Sequence, residues 1–406
     1  MIALHGRVVA SRRQCVVARL RGARIGDRVA IGAVPATVVA VGGERVDLLP
    51  HGDTDCVARG DDVVLEDGGG RCILGIPLLG RAIDGAGLPL DGLPPPQGRR
   101  SARGRAPLPS ERAPLRAPLW TGVRAIDGLL TLVRGMRLGI FGPPGTGKSR
   151  LLESIARDID ADAVVIALVG ERGSEAQARI AACDGRTTVI CSPSDRSAGE
   201  RLAAGELALA HASVLRSSGL DVAVVFDSLA RYAEAARELA LAGGEMPGRG
   251  GYPPGVWPQL AALCEQAGAT ANGSITLIAT VLSDAADAAD PLAEAARSYL
   301  DGHIVLARRR AERGAFPAID VPASLSRPMA AAVEAPHRAA AARVRAALAR
   351  LEDSREAREL GLPSGEPQLA RAVAAESDLE AFLRQGPQSV PACETLDALA
   401  RIADTV

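Results

Sequence analysis

The chain has 406 residues, 47% of them hydrophobic, a formal net charge of −1 and an aromatic content of only 2%. That length accommodates two or three domains, and so much apolar material excludes wholesale disorder. Near-neutral charge and scarce aromatic rings argue against a chain-wide nucleic-acid surface or a stacking platform for single strands.

The first residues, Met1-Ile-Ala-Leu-His-Gly6 onward, have apolar runs too short for a signal-peptide core. Residues 1–74 read as β-structure. Short Val- and Ile-rich runs at Gly6-Arg-Val-Val-Ala, Asp27-Arg-Val-Ala-Ile and Ala36-Thr-Val-Val-Ala-Val alternate with Gly-containing turns. Such spacing predicts a small barrel or sandwich. Residues 93–118 are rich in Pro and Arg, as in a solvated connector; a basic contact strip is the alternative.

Residues 119–328 alternate continuous apolar runs with helical stretches. The runs are Met136–Phe141, Ala163–Val169, Thr188-Val-Ile, Val222–Phe226 and Ser274–Val281. Uninterrupted apolar strands between helices predict an α/β fold, a parallel sheet covered on both faces. Beyond residue 329 the chain is rich in Ala, Arg, Glu and Leu. His337–Leu351 has helical character, and Pro363 with Gly365 interrupts it. The expected organisation is a β-domain at 1–74, a nucleotide-binding domain at 75–328 and a helical domain at 329–406. The seven cysteines, Cys15, Cys56, Cys72, Cys183, Cys191, Cys264 and Cys393, include no CxxC pair. That, with the odd count, argues against a zinc site or disulfide framework and fits a reducing cytoplasm. No run is long and apolar enough to span a bilayer.

The strongest chemical signal is Gly142-Pro143-Pro144-Gly145-Thr146-Gly147-Lys148-Ser149, which matches the phosphate-binding loop at every position. It follows a strand and opens the helical stretch Ser149–Ile159, where Arg150 falls in the first turn. Glycines turn backbone N–H groups toward phosphate oxygens, and the helix N-terminus adds a positive dipole. Lys148 is placed to reach the β- and γ-phosphates and Ser149 to ligate Mg²⁺. Asp227 ends the run Val222–Phe226. An acid at a strand tip holds a Mg²⁺ shell; its plainer role is a helix N-cap before Ser228-Leu-Ala-Arg. Glu171, in Gly170-Glu171-Arg172-Gly173, follows another strand. A carboxylate there polarises the attacking water, or is a salt-bridged residue of a surface turn.

Further motifs carry a resemblance. These are Leu79-Gly-Arg-Ala-Ile-Asp-Gly-Ala-Gly-Leu-Pro-Leu-Asp-Gly92, Thr121-Gly-Val-Arg-Ala-Ile-Asp-Gly-Leu-Leu-Thr131, Asp227-Ser-Leu-Ala-Arg-Tyr232, Gly251-Tyr-Pro-Pro254, Leu300-Asp-Gly-His303, Phe316-Pro-Ala-Ile-Asp320 and Ala323-Ser-Leu-Ser-Arg-Pro-Met329. With the phosphate loop they resemble, from about residue 6 to beyond 380, the ATPases of type III secretion systems. These are relatives of the catalytic subunits of rotary ATP synthases.

The resemblance implies a central RecA-like P-loop domain with a small N-terminal β-barrel and a C-terminal helical domain. It implies ATP and Mg²⁺ as ligands. Glu171 matches the catalytic carboxylate with Arg172 beside it, Asp227 the acid of the second nucleotide motif, and Arg327 an arginine finger that enters a neighbour's site. Phe316 matches an aromatic that packs on adenine; a core Phe is the alternative. A homohexameric ring follows, cytoplasmic and peripheral at the inner face of the inner membrane. It would work with stator and central-stalk proteins, an export gate and chaperone–substrate complexes, and with no nucleic acid. Flagellar export is the near alternative, the segment Ala381-Phe-Leu-Arg-Gln385 favouring the injectisome branch. An ATP-driven RNA translocase is more distant. Departures are Pro143-Pro144 where the family has small flexible residues, Ser174 for a common arginine, a less acidic Ser283–Asp287, and no extra helical segment at the N-terminus.

Overall fold

The computed structural model describes residues 5–12, 15–24, 27–51, 54–67, 72–98, 100–101, 105–282, 290–361 and 366–406. Ser283–Asp287, Pro363 and Gly365 therefore lie outside the described residues. The chain divides into two compact units, Met1–Leu108 with Ala163–Gln266, and Pro109–Asp162 with Ala267–Val406.

In the first unit, six strands close into a barrel: β1 (His5–Arg12), β2 (Cys15–Arg19), β3 (Arg28–Ile31), β4 (Val34–Gly42), β5 (Arg45–Pro50) and β6 (Asp62–Asp67). Their order is β1-β2-β5-β4-β3-β6, with antiparallel pairing throughout and β6 returning to β1. The alternation expected of half-buried strands is present: Val16, Ala18, Val29, Ile31, Val38 and Leu48 all point inward. Closure leaves no free strand edge.

The rest of this unit is α/β. Strand Ala163–Val169 lies between Asp221–Asp227 and Thr187–Ser192, all parallel, and Ala82–Asp84 pairs in parallel with Thr187–Ser192. Every residue of Ala163–Val169 is buried, as the continuous apolar run predicts. Helix Ala198–Ser217 covers these strands. One of its polar groups is fully buried: His211 accepts Gly75 N–H at Nδ1 (3.1 Å) and meets the Thr188 hydroxyl at Nε2 (3.1 Å). Burial pushes its pKa down to about 3, so it is a neutral structural residue.

In the second unit, strand Arg137–Gly142 runs parallel between Ser274–Leu282 and Gly302–Leu306, and Ile319–Ser326 adds antiparallel to the latter. Helices Ala335–Asp353, Pro367–Ala374, Glu376–Leu383 and Ala392–Ala403 complete it. The helix expected at His337–Leu351 begins two residues earlier, with Pro336 in its first turn, where a missing N–H costs nothing. Across the described residues no helix is long and apolar enough to cross a membrane.

Candidate functional site: a phosphate loop and a carboxylate pair

The phosphate loop begins where strand Arg137–Gly142 ends. A Cβ at Gly142 would stand 3.0 Å from both the Cβ and the carbonyl oxygen of Leu306, a tight fit that favours glycine. Pro143 and Pro144 follow, with φ fixed and no N–H to donate. The loop's turning is done by Gly145 (φ 81°) and Gly147 (φ 87°), both in the left-handed region that side chains disfavour. Gly147 then caps helix Lys148–Asp158, which starts one residue before its expected position. The N–H groups at this helix start have no partners inside the helix and carry its positive dipole.

Side chains lock the loop. The Thr146 hydroxyl donates to Pro143 O at 2.8 Å. The Lys148 ammonium donates to Gly142 O at 2.6 Å and Pro143 O at 2.7 Å. Ser149 and Arg150 are exposed in the first turn. Phe316 is not a core residue: it is 38% exposed. Its ring edge lies 3.3 Å from where a Gly147 Cβ would be, directly against the loop. Arg327 follows strand Ile319–Ser326, exposed, with Nη1 3.4 Å from Leu300 O.

The carboxylates belong to the first unit. Glu171 emerges after the buried strand Ala163–Val169 through Gly170, which has a positive φ (73°) and lacks the Cβ that would stand 2.9 Å from the Arg231 Cβ. Glu171 is half-buried, and its pKa is raised to about 7. Burial is the main cause, the nearby carboxylates of Asp227 and Glu175 add to it, and Arg231 and Arg172 oppose it. Asp227 is the last residue of its strand and 9% exposed. The helix-cap role considered for it belongs instead to Ser228, whose hydroxyl accepts Arg231 N–H at 3.2 Å.

The Ser149 hydroxyl and the Asp227 carboxylate are each oxygen donors of the kind a hard cation takes. Among the described residues no cluster of three or more His, Cys, Asp or Glu could hold a metal by itself.

Sequence reasoning quoted Asp127 within a motif but missed its task. It is fully buried and accepts Thr121 N–H (2.9 Å), the Thr121 hydroxyl (2.7 Å) and Gly122 N–H (2.9 Å). Burial raises its pKa to about 6 although all three bonds favour the charged form. The Thr121-Gly…Asp127 spacing was the available signal.

Comparison with known proteins gives two family matches. Residues 122–326 match the ATP synthase alpha/beta family nucleotide-binding domain, and residues 333–401 match the T3SS EscN ATPase C-terminal domain. A flagellum-specific ATP synthase of Pseudomonas aeruginosa is 42% identical over 368 residues, 87% of this chain and 81% of that protein. A type 3 secretion system ATPase of Sinorhizobium fredii is 40% identical over 402 residues, 95% of this chain and 89% of that protein. The assembled ATPase EscN of the enteropathogenic E. coli type III secretion system superposes with a TM-score of 0.91 at 36% identity, covering 98% of this chain and all of that one. A family profile over half the chain, curated relatives near 40% identity and a matching fold agree: the chain belongs to the ATP synthase alpha/beta family and, within it, to the ATPases that drive type III protein export.

Proposed function

We propose that the chain hydrolyses ATP as MgATP in a homohexameric ring, and that the ring energises type III secretion by releasing chaperones and unfolding export substrates. The observation carrying this reading is the phosphate loop, with Gly145 and Gly147 in left-handed conformation ahead of Lys148 at a helix N-terminus. Lys148 binds the β- and γ-phosphates, the loop amides from Gly145 onward cradle them, and Ser149 and Asp227 would each offer an oxygen ligand to Mg²⁺. When bound, the cation would neutralise phosphate charge. Glu171 orients and deprotonates the attacking water, and its raised pKa suits a base working near neutral pH. Phe316 receives adenine on its exposed face. Arg327, on an exposed strand end, is supplied to a neighbouring subunit's phosphates.

A ring draws support from the assembled state of EscN and from its complex with the central stalk EscO. By this reading the chain is cytoplasmic, docks at the inner membrane through stator, stalk and export-gate proteins, and takes chaperone–substrate complexes. The reading keeps three domains: a β-barrel at 1–74, a nucleotide-binding ATPase domain at 75–328 and a helical domain at 329–406. The flagellar branch is a second reading, favoured by the 42% identity to the Pseudomonas protein. Needle genes beside this one would support the injectisome; hook and rod genes would support the flagellum. The deciding experiment is ATPase rate against protein concentration with mass measured in parallel. Specific activity should climb as hexamers form. Full activity in a monomer overturns the ring.

A further inference from the structure

Phe316 is tied to a residue nearly seventy positions away. The backbone N–H of Gln385 donates to Phe316 O at 2.9 Å. The Gln385 side chain uses both its ends elsewhere. Its Oε1 accepts Arg124 N–H at 2.8 Å, while Nε2 donates to Gly122 O at 2.7 Å and Gln388 O at 2.8 Å. The amide's orientation is thereby determined: two carbonyls face the donor end and one N–H faces the acceptor end. More bonds surround it. Val390 N–H also donates to Gly122 O (3.0 Å), Arg124 reaches the carbonyls of Ala381 (3.2 Å) and Arg384, and its guanidinium lies over Phe382. Arg157, near the end of the phosphate-loop helix, donates to Pro387 O at 2.5 Å. The stretch 381–390 thus clasps the Phe316 backbone, the turn at Gly122–Arg124 and the phosphate-loop helix together. The Phe316 ring meanwhile lies against Gly147 of the loop.

We propose that Gln385 is a positioning residue for nucleotide binding, holding Phe316 at the base end of the phosphate loop through its backbone bond and its three side-chain bonds. This rests on the reading that Phe316 receives the base. An aromatic platform discriminates only if its plane is held, and a main-chain tether does so without touching the ligand. Gln385 thereby contributes to base affinity far more than to phosphate affinity.

The test compares the affinity of the full chain for MgATP with that for inorganic tripolyphosphate, which has no base. Gln385→Met keeps length and removes the amide. The expected result is about a three- to tenfold loss of affinity for ATP, the range for one or two net hydrogen bonds, with tripolyphosphate binding altered by less than about twofold. In a Phe316→Ala background the Gln385→Met effect should vanish, because one acts through the other. Additive effects, unchanged ATP affinity, or parallel loss for both ligands overturns the proposal. Phe316→Ala alone tests the underlying reading separately: if ATP keeps its full advantage over tripolyphosphate, the base does not sit on Phe316, whatever Gln385 does. If Gln385→Met fails to fold, hydrogen exchange on the unaltered protein decides. ATP should protect peptides spanning 381–390 and 122–126 more than tripolyphosphate does, and equal protection overturns the proposal.

Discussion

Glu200 shows how a single side chain can work against its own fold. It is 3% exposed, and its Oε2 has no hydrogen-bond partner. Burial, then the carboxylates of Asp84 and Asp195, raise its pKa to about 7 from 4.5, with Arg196 opposing. The folded state therefore binds this proton more tightly than the unfolded chain does. Stability from this group is complete below pH 4.5 and is lost as pH rises toward 7. Glu200→Gln should stabilise the protein by about 1–3 kcal/mol near pH 8 and flatten the stability profile between about pH 5 and 8, read from urea midpoints. An unchanged slope would contradict the assignment. At the other carboxylate, Glu171→Gln keeps shape and loses the base; turnover should fall by about 10²–10⁴-fold in steady-state assays while ATP binding persists. These residues differed in how readable they were. Lys148, Ser149 and Asp227 stand beside apolar runs that announce buried strands, so local pattern located them. Glu171 was equally a surface turn until the family motifs decided its reading. Glu200 follows Ser197 at capping-box spacing, and that pattern predicts a solvated carboxylate reaching back along the helix. Only half the box forms: the Ser197 hydroxyl accepts Glu200 N–H at 3.2 Å. The carboxylate's burial depends on neighbours more than a hundred residues away, which local pattern does not contain.

Among elements, the short helix Arg124–Leu129 depends on one buried acid. Asp127 accepts both N–H groups of the turn before the helix, and Thr121, Gly122 and Asp127 are all buried. Asp127→Ala would strand those donors without water. It should cost about 2–4 kcal/mol in denaturant unfolding, more than most surface changes by a wide margin. By contrast, the exposed Arg309–Glu352 pair (2.8 Å) joins two solvated side chains, and Glu352→Ala should cost under about 1 kcal/mol. The barrel and the parallel strands were legible because alternation and continuous apolar runs are properties of adjacent residues. The clasp around Gln385 was not, since it joins residues roughly 70 to 260 positions apart that share no local pattern.

For the whole chain, sequence order conceals that the two units interleave: each is built from two separated segments. Assembly adds what one chain cannot supply. Arg327 is exposed after its strand, so a trans role makes a clear demand. Arg327→Ala and Lys148→Ala proteins, each inactive alone, should recover part of the wild-type rate when mixed. A mixed ring contains interfaces that pair an intact loop with an intact finger. No recovery, with mixed rings demonstrated by mass, would exclude action across the interface.

Choosing Lys148 for such mixtures has a side effect. Its ammonium donates to the carbonyls of Gly142 and Pro143, so alanine there removes two internal struts as well as a phosphate contact. A subunit disabled this way is not merely silent; its loop is also free to sag, and it can bias the partners it is meant only to report on. Blank subunits for ring-counting work are better made at Glu171, where the lesion leaves the loop's internal scaffolding untouched.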